Sequence, residues 1–449
     1  MILYNRYLID IGGNLKEQIS ELYSTYGKYI NKFRAFPLTF DGLKIVERRL
    51  LYSLYERAKD KYVKSAEVVG WCIGQYHPHG DQSAYGSLTA LVNGDMAVGQ
   101  GNWGIDVGIV PCDAAAMRYT EVRSAKSILD MAFEYVKYVK KEELELHAEP
   151  LFLPTKLPLC LVNLNYCQGI GFGSRTIIPS YTIKDLTKRL EWLMGYSDKE
   201  PIIKPLSDCK YMSKEADFKE LLTTGKAKLD YRGTAKTDYS SKSVIVTAIP
   251  PSKSFATILK KLEKDIQINK TIGFIDESTD KTKVRFTSLK RSLTLDNLAK
   301  KVNAQLTGSI TFECNMCDLD GNVVLVSIDQ MLKNVYENYE KVVQTVLNVN
   351  IDKLQKQIDE LALIAKIKVV LPKWLKSHPD EPEILIKGVS ADTKIPVETV
   401  KELFDKYTLS RILKIKTDTE ELLKEKGVLE GNLANLATYV WEEKFKQYC

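Results

Sequence analysis

Residues 41–54 read DGLKIVERRLLYSL and combine the spacing of a helix with a local excess of positive charge. Four apolar residues recur at steps of three and four, namely Leu43, Val46, Leu50 and Leu54. This is the spacing of one buried stripe on a helix. Lys44 and Arg48 are four residues apart and share a different face. The segment therefore predicts a helix that buries one side and presents cations on another.

The positive charge extends beyond this helix. Residues 28–64 hold ten Lys or Arg and four Asp or Glu, an excess that equals the formal net charge of +6 of the whole chain. A concentrated basic surface is a candidate for contacts with nucleic-acid phosphates. A solvated face of an ordinary helix is the commoner outcome for a charge cluster alone, so both interpretations stay open.

Composition excludes several classes of protein. Hydrophobic residues make up 44% and charged residues 27% of the 449 residues, which is typical of globular chains and excludes a disordered or collagen-like one. The richest apolar window, residues 361–371, is interrupted by Lys366 and Lys368, so no membrane span is expected. The N-terminus lacks a secretory pattern, and eight Cys form no dense framework. We expect a cytoplasmic protein with reduced thiols.

The pattern of elements predicts a multidomain α+β protein of about three domains. Residues 1–150 alternate helical patterns with glycine-rich turns. The prolines between Pro150 and Pro158 exclude one continuous helix, so a domain boundary is placed there. Residues 151–330 mix strand patterns, such as residues 243–249 and 323–328, with helical ones.

Residues 331–449 have the pattern of two long helices. A seam of steps of four and three begins the first, at Val335, Tyr339, Val342, Val346 and Val349. A similar spacing near the C-terminus joins Leu429, Leu433, Leu436 and Val440. Between them lies a short stretch with four prolines. We predict a coiled-coil-like helix, a small globule and a returning helix, which either only pack together or build a dimer contact away from the body.

The motif YHPHGD at residues 76–81 holds two of the four histidines. His77 and His79 beside Asp81 could ligate a metal, but no His-Glu-x-x-His pattern supplies further ligands. We therefore predict no metal site, and contact with a phosphate explains the pair at least as well. The lone pair Cys314 and Cys317 is interpreted as structural.

The motif AAAMRYTE at residues 114–121 places Tyr119 directly after Arg118. A phenol has a pKa of about 10, so a tyrosine nucleophile needs cations that favour the phenolate. Arg118 is such a cation, although 24 Tyr are present and most of them must serve packing. No Gly-x-x-x-x-Gly-Lys-Ser/Thr motif occurs, so ATP is expected on another chain.

Taken together and in order, these motifs resemble those of the DNA-cleaving A subunit of type IIA topoisomerases. This is the family of the gyrase and topoisomerase IV A subunits, and the chain is most similar to a short tailed-phage medium subunit. The matching motifs are RAFP (34–37), DGLK (41–44), RR (48–49), KSAEVVG (64–70), YHPHGD (76–81), GQGNWG (99–104), AAAMRYTE (114–121), LPTK (153–156) and GIGFG (169–173).

The resemblance implies roles for individual residues. Tyr119 would be the nucleophile that forms a 5′-phosphotyrosine link, with Arg118 beside it. Six basic residues would line the DNA backbone: Arg34, Lys44, Arg48, Arg49, His77 and His79. Ile178 would wedge between base pairs and bend the duplex. Glu47 departs from the family pattern, which usually has a neutral or basic residue there.

The resemblance also implies an architecture and partners. Residues 1–150 would form a winged-helix domain with the catalytic tyrosine, residues 151–330 an α/β tower domain, and residues 331–449 an antiparallel coiled coil with a small globule. That globule, the C-gate, would hold a homodimer together on double-stranded DNA. Mg²⁺ and ATP would be bound by a partner subunit with ATPase and Toprim sites, of the B type or a phage large subunit. Two copies of this chain and two partner subunits would form a heterotetramer. It would work in the cytoplasm, or in the host cytoplasm if a phage encodes it. Because the chain ends soon after the returning helix, relaxation and decatenation are expected rather than negative supercoiling.

Two alternatives remain. A catalytically silent winged-helix scaffold would bend DNA without cutting it and would leave no covalent link. A tyrosine recombinase would leave a 3′-phosphotyrosine instead of a 5′ one.

Overall fold

The computed structural model describes residues 15–105, 107–379 and 381–448. They divide into two compact units. The first contains the chain up to Tyr339 together with Gln447 and Tyr448, and the second is Glu340–Lys446. Helices and mainly antiparallel sheets occur together, which confirms the α+β class. The division into three domains stays a prediction.

The N-terminal part of the first unit is mainly helical. Its helices are α1 (Leu15–Ile30), α2 (Ile45–Arg57), α3 (Ser65–Gln75), α4 (Asp81–Asn93) and α5 (Lys126–Ala132). A small antiparallel sheet accompanies them, with strands β1 (Val63–Lys64), β2 (Ala97–Gln100) and β3 (Glu121–Ser124) in the order β1-β3-β2. The helix predicted around Leu50 is therefore confirmed as α2. Leu50 and Leu54 are fully buried, while Leu43 is buried just before the helix begins.

The remainder of the first unit contains two larger sheets and two hairpins. Its strands are β4 (Lys141–Glu143), β5 (Ala148–Pro150), β6 (Cys167–Ile170), β7 (Arg175–Ile178), β8 (Lys210–Tyr211), β9 (Lys226–Arg232), β10 (Thr234–Asp238), β11 (Ser243–Ala248), β12 (Ile272–Asp276), β13 (Val284–Ser288), β14 (Thr307–Glu313), β15 (Asn315–Cys317) and β16 (Val323–Leu325). Its helices are α6 (Leu159–Val162), α7 (Ile183–Leu193), α8 (Glu215–Thr224), α9 (Phe255–Glu263) and α10 (Leu295–Gln305). The strand predicted at residues 243–249 is confirmed as β11. Of the strand predicted at residues 323–328, only Val323–Leu325 forms β16, and Ile328 already begins a long helix.

One sheet has the strand order β6-β7-β14-β9-β8 and the other β10-β11-β13-β12. The second sheet buries Val244 and Val246, which alternate along β11 and pack with Phe286 of β13 and the helices α9 and α10. This alternation is what a sheet with one covered face requires. We call it the four-stranded sheet.

The second unit is helical. The helix α11 runs over 50 residues, Ile328–Ser377, so that its first residues belong to the first unit and the rest to the second. It is followed by α12 (Pro382–Thr393), α13 (Val397–Lys406), α14 (Leu409–Lys414), α15 (Glu420–Ala434) and α16 (Leu436–Val440). Residues of α12, α13 and α14 pack around Ile364, Ile367 and Leu371. The predicted outgoing helix and small globule are therefore present.

Two details of this unit differ from the sequence prediction. Pro372 lies inside α11 and does not end it, so only one backbone hydrogen bond is lost there. The predicted returning helix is divided into α15 and α16 by a break at Asn435. None of the described helices combines the length and the apolar character that crossing a bilayer requires.

Candidate active site

Tyr119 lies in a turn directly before β3, and its side chain is 65% exposed. The turn is closed by a hydrogen bond from the Tyr119 N–H to the Ala116 carbonyl, 2.8 Å. The guanidinium carbon of Arg118 is 4.6 Å from the centre of the Tyr119 ring. A cation at this distance favours negative charge that develops on the phenol oxygen and on a phosphate beside it.

Buried polar contacts hold this turn from behind. The Tyr85 hydroxyl of α4 donates to the Ala115 carbonyl at 2.5 Å and lies 2.9 Å from the Thr120 hydroxyl. The Thr120 hydroxyl is in turn 2.8 Å from Ser65 Oγ at the start of α3. Thr120 and Ser65 are fully buried. The turn is thus fixed on both sides of Tyr119 while the phenol itself stays open to solvent.

Arg48 does not form an exposed basic face. It is 4% exposed, and its Nε donates to Asp41 Oδ2 at 2.6 Å while Nη2 donates to Oδ1 at 3.0 Å. Asp41 is fully buried and also accepts from the N–H groups of Leu43 and Leu153, each at 3.0 Å. This corrects the prediction of cations exposed along α2, because a buried carboxylate takes the guanidinium as its counter-charge.

Arg49 is also buried, at 1% exposure, and joins two segments far apart in sequence. Its Nη2 is 2.6 Å from Glu149 Oε1, and its Nη1 is 2.6 Å from Glu145 Oε2. Nη1 also lies 3.0 Å from Nδ1 of His77. Because a guanidinium can only donate, His77 Nδ1 must accept, which leaves the imidazole proton on Nε2. Burial, the neighbouring His79 and Arg49 lower the pKa of His77 to about 4.

His77, His79 and Glu145 place potential metal-ligand atoms within 4.8 Å of one another. Arg49 already binds Nδ1 of His77 and Oε2 of Glu145, and the Tyr29 hydroxyl donates to Oε1 at 3.0 Å. A divalent cation would have to lie beside this guanidinium. Arg49 therefore competes with a metal ion for the ligand atoms of His77 and Glu145. His79 is exposed, and its ring stacks on His77 with 4.3 Å between the ring centres.

Residues 34–448 match the family model of the DNA gyrase/topoisomerase IV A subunit. The chain belongs to this family. It is similar to the A subunit of DNA topoisomerase 4 from Escherichia coli K12, with 27% identity over 94% of this chain and 59% of the relative. It is also similar to the A subunit of DNA gyrase from Rickettsia felis, with 27% identity over 92% of this chain and 47% of the relative. The chain spans about half to three fifths of the length of these relatives.

The remaining basic positions of the family motif lie closer to the surface. Arg34 is exposed, and Lys44 is half-buried and donates from Nζ to the Gln168 carbonyl of β6. The Lys44 N–H, at the start of α2, donates to Glu47 Oε2 at 2.9 Å. Glu47 therefore caps the helix, which gives this departure from the family pattern a structural reason. Among the described residues, no hydrogen bond or ion pair joins the Tyr119 side chain to the histidine pair.

The hairpin β6–β7 carries the residue expected to wedge into DNA. Ile178 is fully buried and lies opposite Cys167 in the sheet. In this structure it cannot reach a duplex. Ile170, at the tip end of the same hairpin, is 88% exposed.

Two glycines explain why Ile170 projects outward. A Cβ added to Gly169 would lie 2.0 Å from the Ala35 carbonyl oxygen, and one added to Gly171 would lie 2.1 Å from the Phe36 ring. The hairpin backbone therefore lies directly against residues 31–36, and the side chain between these glycines points away from them. Sequence reasoning missed Ile170 and Tyr85, although an isoleucine between two glycines was a usable signal for the first.

Proposed function

We propose that this chain is the DNA-breaking and rejoining subunit of a type IIA topoisomerase. The observation that carries the proposal is the exposed Tyr119 in a turn that is fixed from behind, with Arg118 against its ring. Membership in the family of gyrase and topoisomerase IV A subunits supports the same conclusion.

The proposed reaction is a transesterification. The Tyr119 phenol loses its proton, and its oxygen forms a bond to a backbone phosphorus while the bond from that phosphorus to the 3′ oxygen breaks. The released 3′ oxygen takes up a proton, and the 5′ end stays bound to the protein. One phosphodiester replaces another, so rejoining by the reverse step needs no ATP. Arg118 stabilises the charge on the phenolate and on the phosphate oxygens.

The basic residues divide into two proposed roles. Arg34, Lys44 and His79 are accessible and would contact DNA phosphates directly. Arg48 and Arg49 bind carboxylates within the protein, so their contribution to DNA binding would come through positioning. His77 is buried and held neutral, so its contribution would come through positioning of His79, whose exposed ring stacks on it.

We assign the bending wedge to Ile170 instead of Ile178. A side chain that unstacks base pairs has to enter the duplex, and Ile170 is the exposed isoleucine of the hairpin. Lys44 contacts the same hairpin through the Gln168 carbonyl. The hairpin β6–β7 would thus carry the proposed wedge, Ile170, and also hold Lys44, the proposed phosphate contact.

The assembly is proposed from the family. Residues 1–150 would act as a winged-helix domain and residues 151–330 as a tower domain. Residues 331–449 would form a coiled coil with a C-gate that closes a homodimer. A partner subunit would bring the ATPase and Toprim sites, with ATP and Mg²⁺, and passage of a second duplex would need this partner.

The test mixes the chain with its ATPase and Toprim partner, Mg²⁺ and circular DNA, and stops the reaction with denaturant. We expect protein on the 5′ ends of broken DNA with the wild type and none with Tyr119→Phe. Tyr239→Phe is the matched control, because Tyr239 is 72% exposed on the four-stranded sheet. DNA that is bound and bent without any covalent link would indicate a silent scaffold, and a 3′ link would indicate a recombinase.

A further inference from the structure

The loop that leads to the catalytic turn is closed at its neck. The N–H groups of Ile105 and Cys112 each donate to the carbonyl of the other, at 2.8 and 2.9 Å. The Ala115 N–H then donates to the Asn102 carbonyl at 2.9 Å. The Ala115 carbonyl is the group that accepts from Tyr85. The loop is therefore connected to the turn of Tyr119 by a short backbone segment, residues 112–115, whose two ends are held by hydrogen bonds.

The tip of this loop is bound to the four-stranded sheet. The Ile109 N–H donates to Asp276 Oδ2 at 2.7 Å, and the Ile109 side chain packs against the apolar core beneath that sheet. Gly108 has φ +85°, and a Cβ there would lie 2.6 Å from Asp276 Oδ2. The close approach of loop and carboxylate thus requires glycine at this position.

Asp276 is itself held in place at the end of β12. Its Oδ1 accepts from the Ser278 N–H at 3.0 Å. Burial alone would raise the pKa of Asp276, but the hydrogen bonds from Ile109 and Ser278 lower it below its ordinary value. The carboxylate is therefore ionised at neutral pH, and its bond to the Ile109 N–H is charge-assisted.

We propose that Ile109 and Asp276 form a latch that positions the turn of Tyr119 from the four-stranded sheet. The latch holds the loop tip, the neck transmits that restraint, and Ala115 passes it to the residues before Tyr119. Both are positioning residues, because neither lies next to Tyr119. This role rests on the proposed function, whereas the contact itself does not.

The experiment compares Asp276→Ala, Ile109→Ala and the double variant with the wild type. Asp280→Ala is the matched control, since Asp280 lies in the same β12–β13 turn, is exposed, and accepts from the Thr279 hydroxyl. Amide hydrogen exchange over residues 107–113 reports the latch, and covalent 5′-linked DNA reports cleavage. DNA affinity is measured for each variant in a Tyr119→Phe background, and the thermal midpoint reports global folding.

We expect exchange at Ile109 to rise, and covalent complexes to fall about tenfold, in both single variants. DNA affinity should stay at the control value in both variants, and the thermal midpoint should stay there in Asp276→Ala. Ile109→Ala also loses apolar packing, so its midpoint should fall by roughly a few degrees. The double variant should lose little more than the worse single variant, because both residues act on one loop. Asp276→Asn keeps an acceptor for the Ile109 N–H and should restore much of the cleavage.

Unchanged exchange in Asp276→Ala and in Ile109→Ala would overturn the latch. Faster exchange with wild-type cleavage would overturn its role in positioning Tyr119. A parallel fall in cleavage, affinity and thermal midpoint would also overturn it, since that result describes a general loss of structure. If the wild type forms no covalent complex, the proposed function fails, and the exchange data still decide whether the latch exists.

Discussion

Replacing Arg48 with alanine separates a structural role from a DNA contact. The substitution leaves the Asp41 carboxylate fully buried with two backbone N–H donors and no counter-charge. Removing one partner of a buried ion pair costs about 3–5 kcal/mol. In a unit of this size 1 kcal/mol corresponds to roughly 2 °C, so the thermal midpoint of the first unit should fall by about 6–10 °C.

The assay is thermal unfolding followed by circular dichroism, paired with DNA binding by fluorescence anisotropy over a range of salt concentrations. Arg34→Ala is the matched control because Arg34 is exposed. We expect its stability to change by less than about 0.5 kcal/mol. Its DNA affinity should fall, and the slope of log K against log salt should decrease by about 1.

A second variant tests the cause of the lost stability. Asp41→Asn combined with Arg48→Leu removes the unpaired charge and should recover part of the midpoint that Arg48→Ala loses. The reasoning is refuted if Arg48→Ala unfolds at the wild-type temperature and weakens DNA binding as Arg34→Ala does. That result would make Arg48 a direct DNA ligand.

Three further predictions follow from the site. The pKa of His77 is about 4 in the folded protein and about 6.5 in the unfolded chain, so the unfolded chain binds more protons between these pH values. The free energy of unfolding should therefore fall as the pH drops from 6.5 to 4, by up to about 3 kcal/mol. A pH series of denaturant unfolding should show this loss in the wild type and in His147→Gln, whose histidine is exposed, and a flatter curve in His77→Gln. Ile170→Ser should reduce DNA bending, measured by energy transfer between the ends of a short duplex, and should leave stability unchanged. Ile178→Ser should instead cost about 3 kcal/mol of stability, because the side chain of Ile178 is buried. The reverse pattern would return the wedge to Ile178. Arg118→Ala should lower the rate of cleavage by about 10²-fold without changing the thermal midpoint, and a wild-type rate would exclude Arg118 from charge stabilisation.

Local periodicity is enough to predict much of the fold. The helix around Leu50, the strand at residues 243–249 and the long helix that begins before Val335 all depend on neighbours a few residues apart. Such spacing states which side of an element is apolar, and burial of that side supplies most of its stability. The ordered motifs around Tyr119 likewise indicate the family without any tertiary information.

The interior of the candidate site was decided by tertiary structure. Nothing in the charge pattern of α2 shows that Glu149, a hundred residues further on, takes up the guanidinium of Arg49. The strand pattern of the β6–β7 hairpin could not tell which isoleucine is covered, because a change of face in a strand needs a shift of one residue only.

The sequence by itself determined the α+β class, the main helices, the family and the tyrosine expected to act as nucleophile, because these depend on residue type and on short spacings. Only the tertiary structure decided that Arg48 and Arg49 face inward, that Ile170 is exposed, and that Asp276 binds the loop before Tyr119. Arg49 and Asp276 bind partners about a hundred residues or more away. Arg48 binds the nearby Asp41, but the burial of that pair depends on distant segments such as the one that contains Leu153. Their partners are selected by packing of the whole unit, which no local pattern encodes.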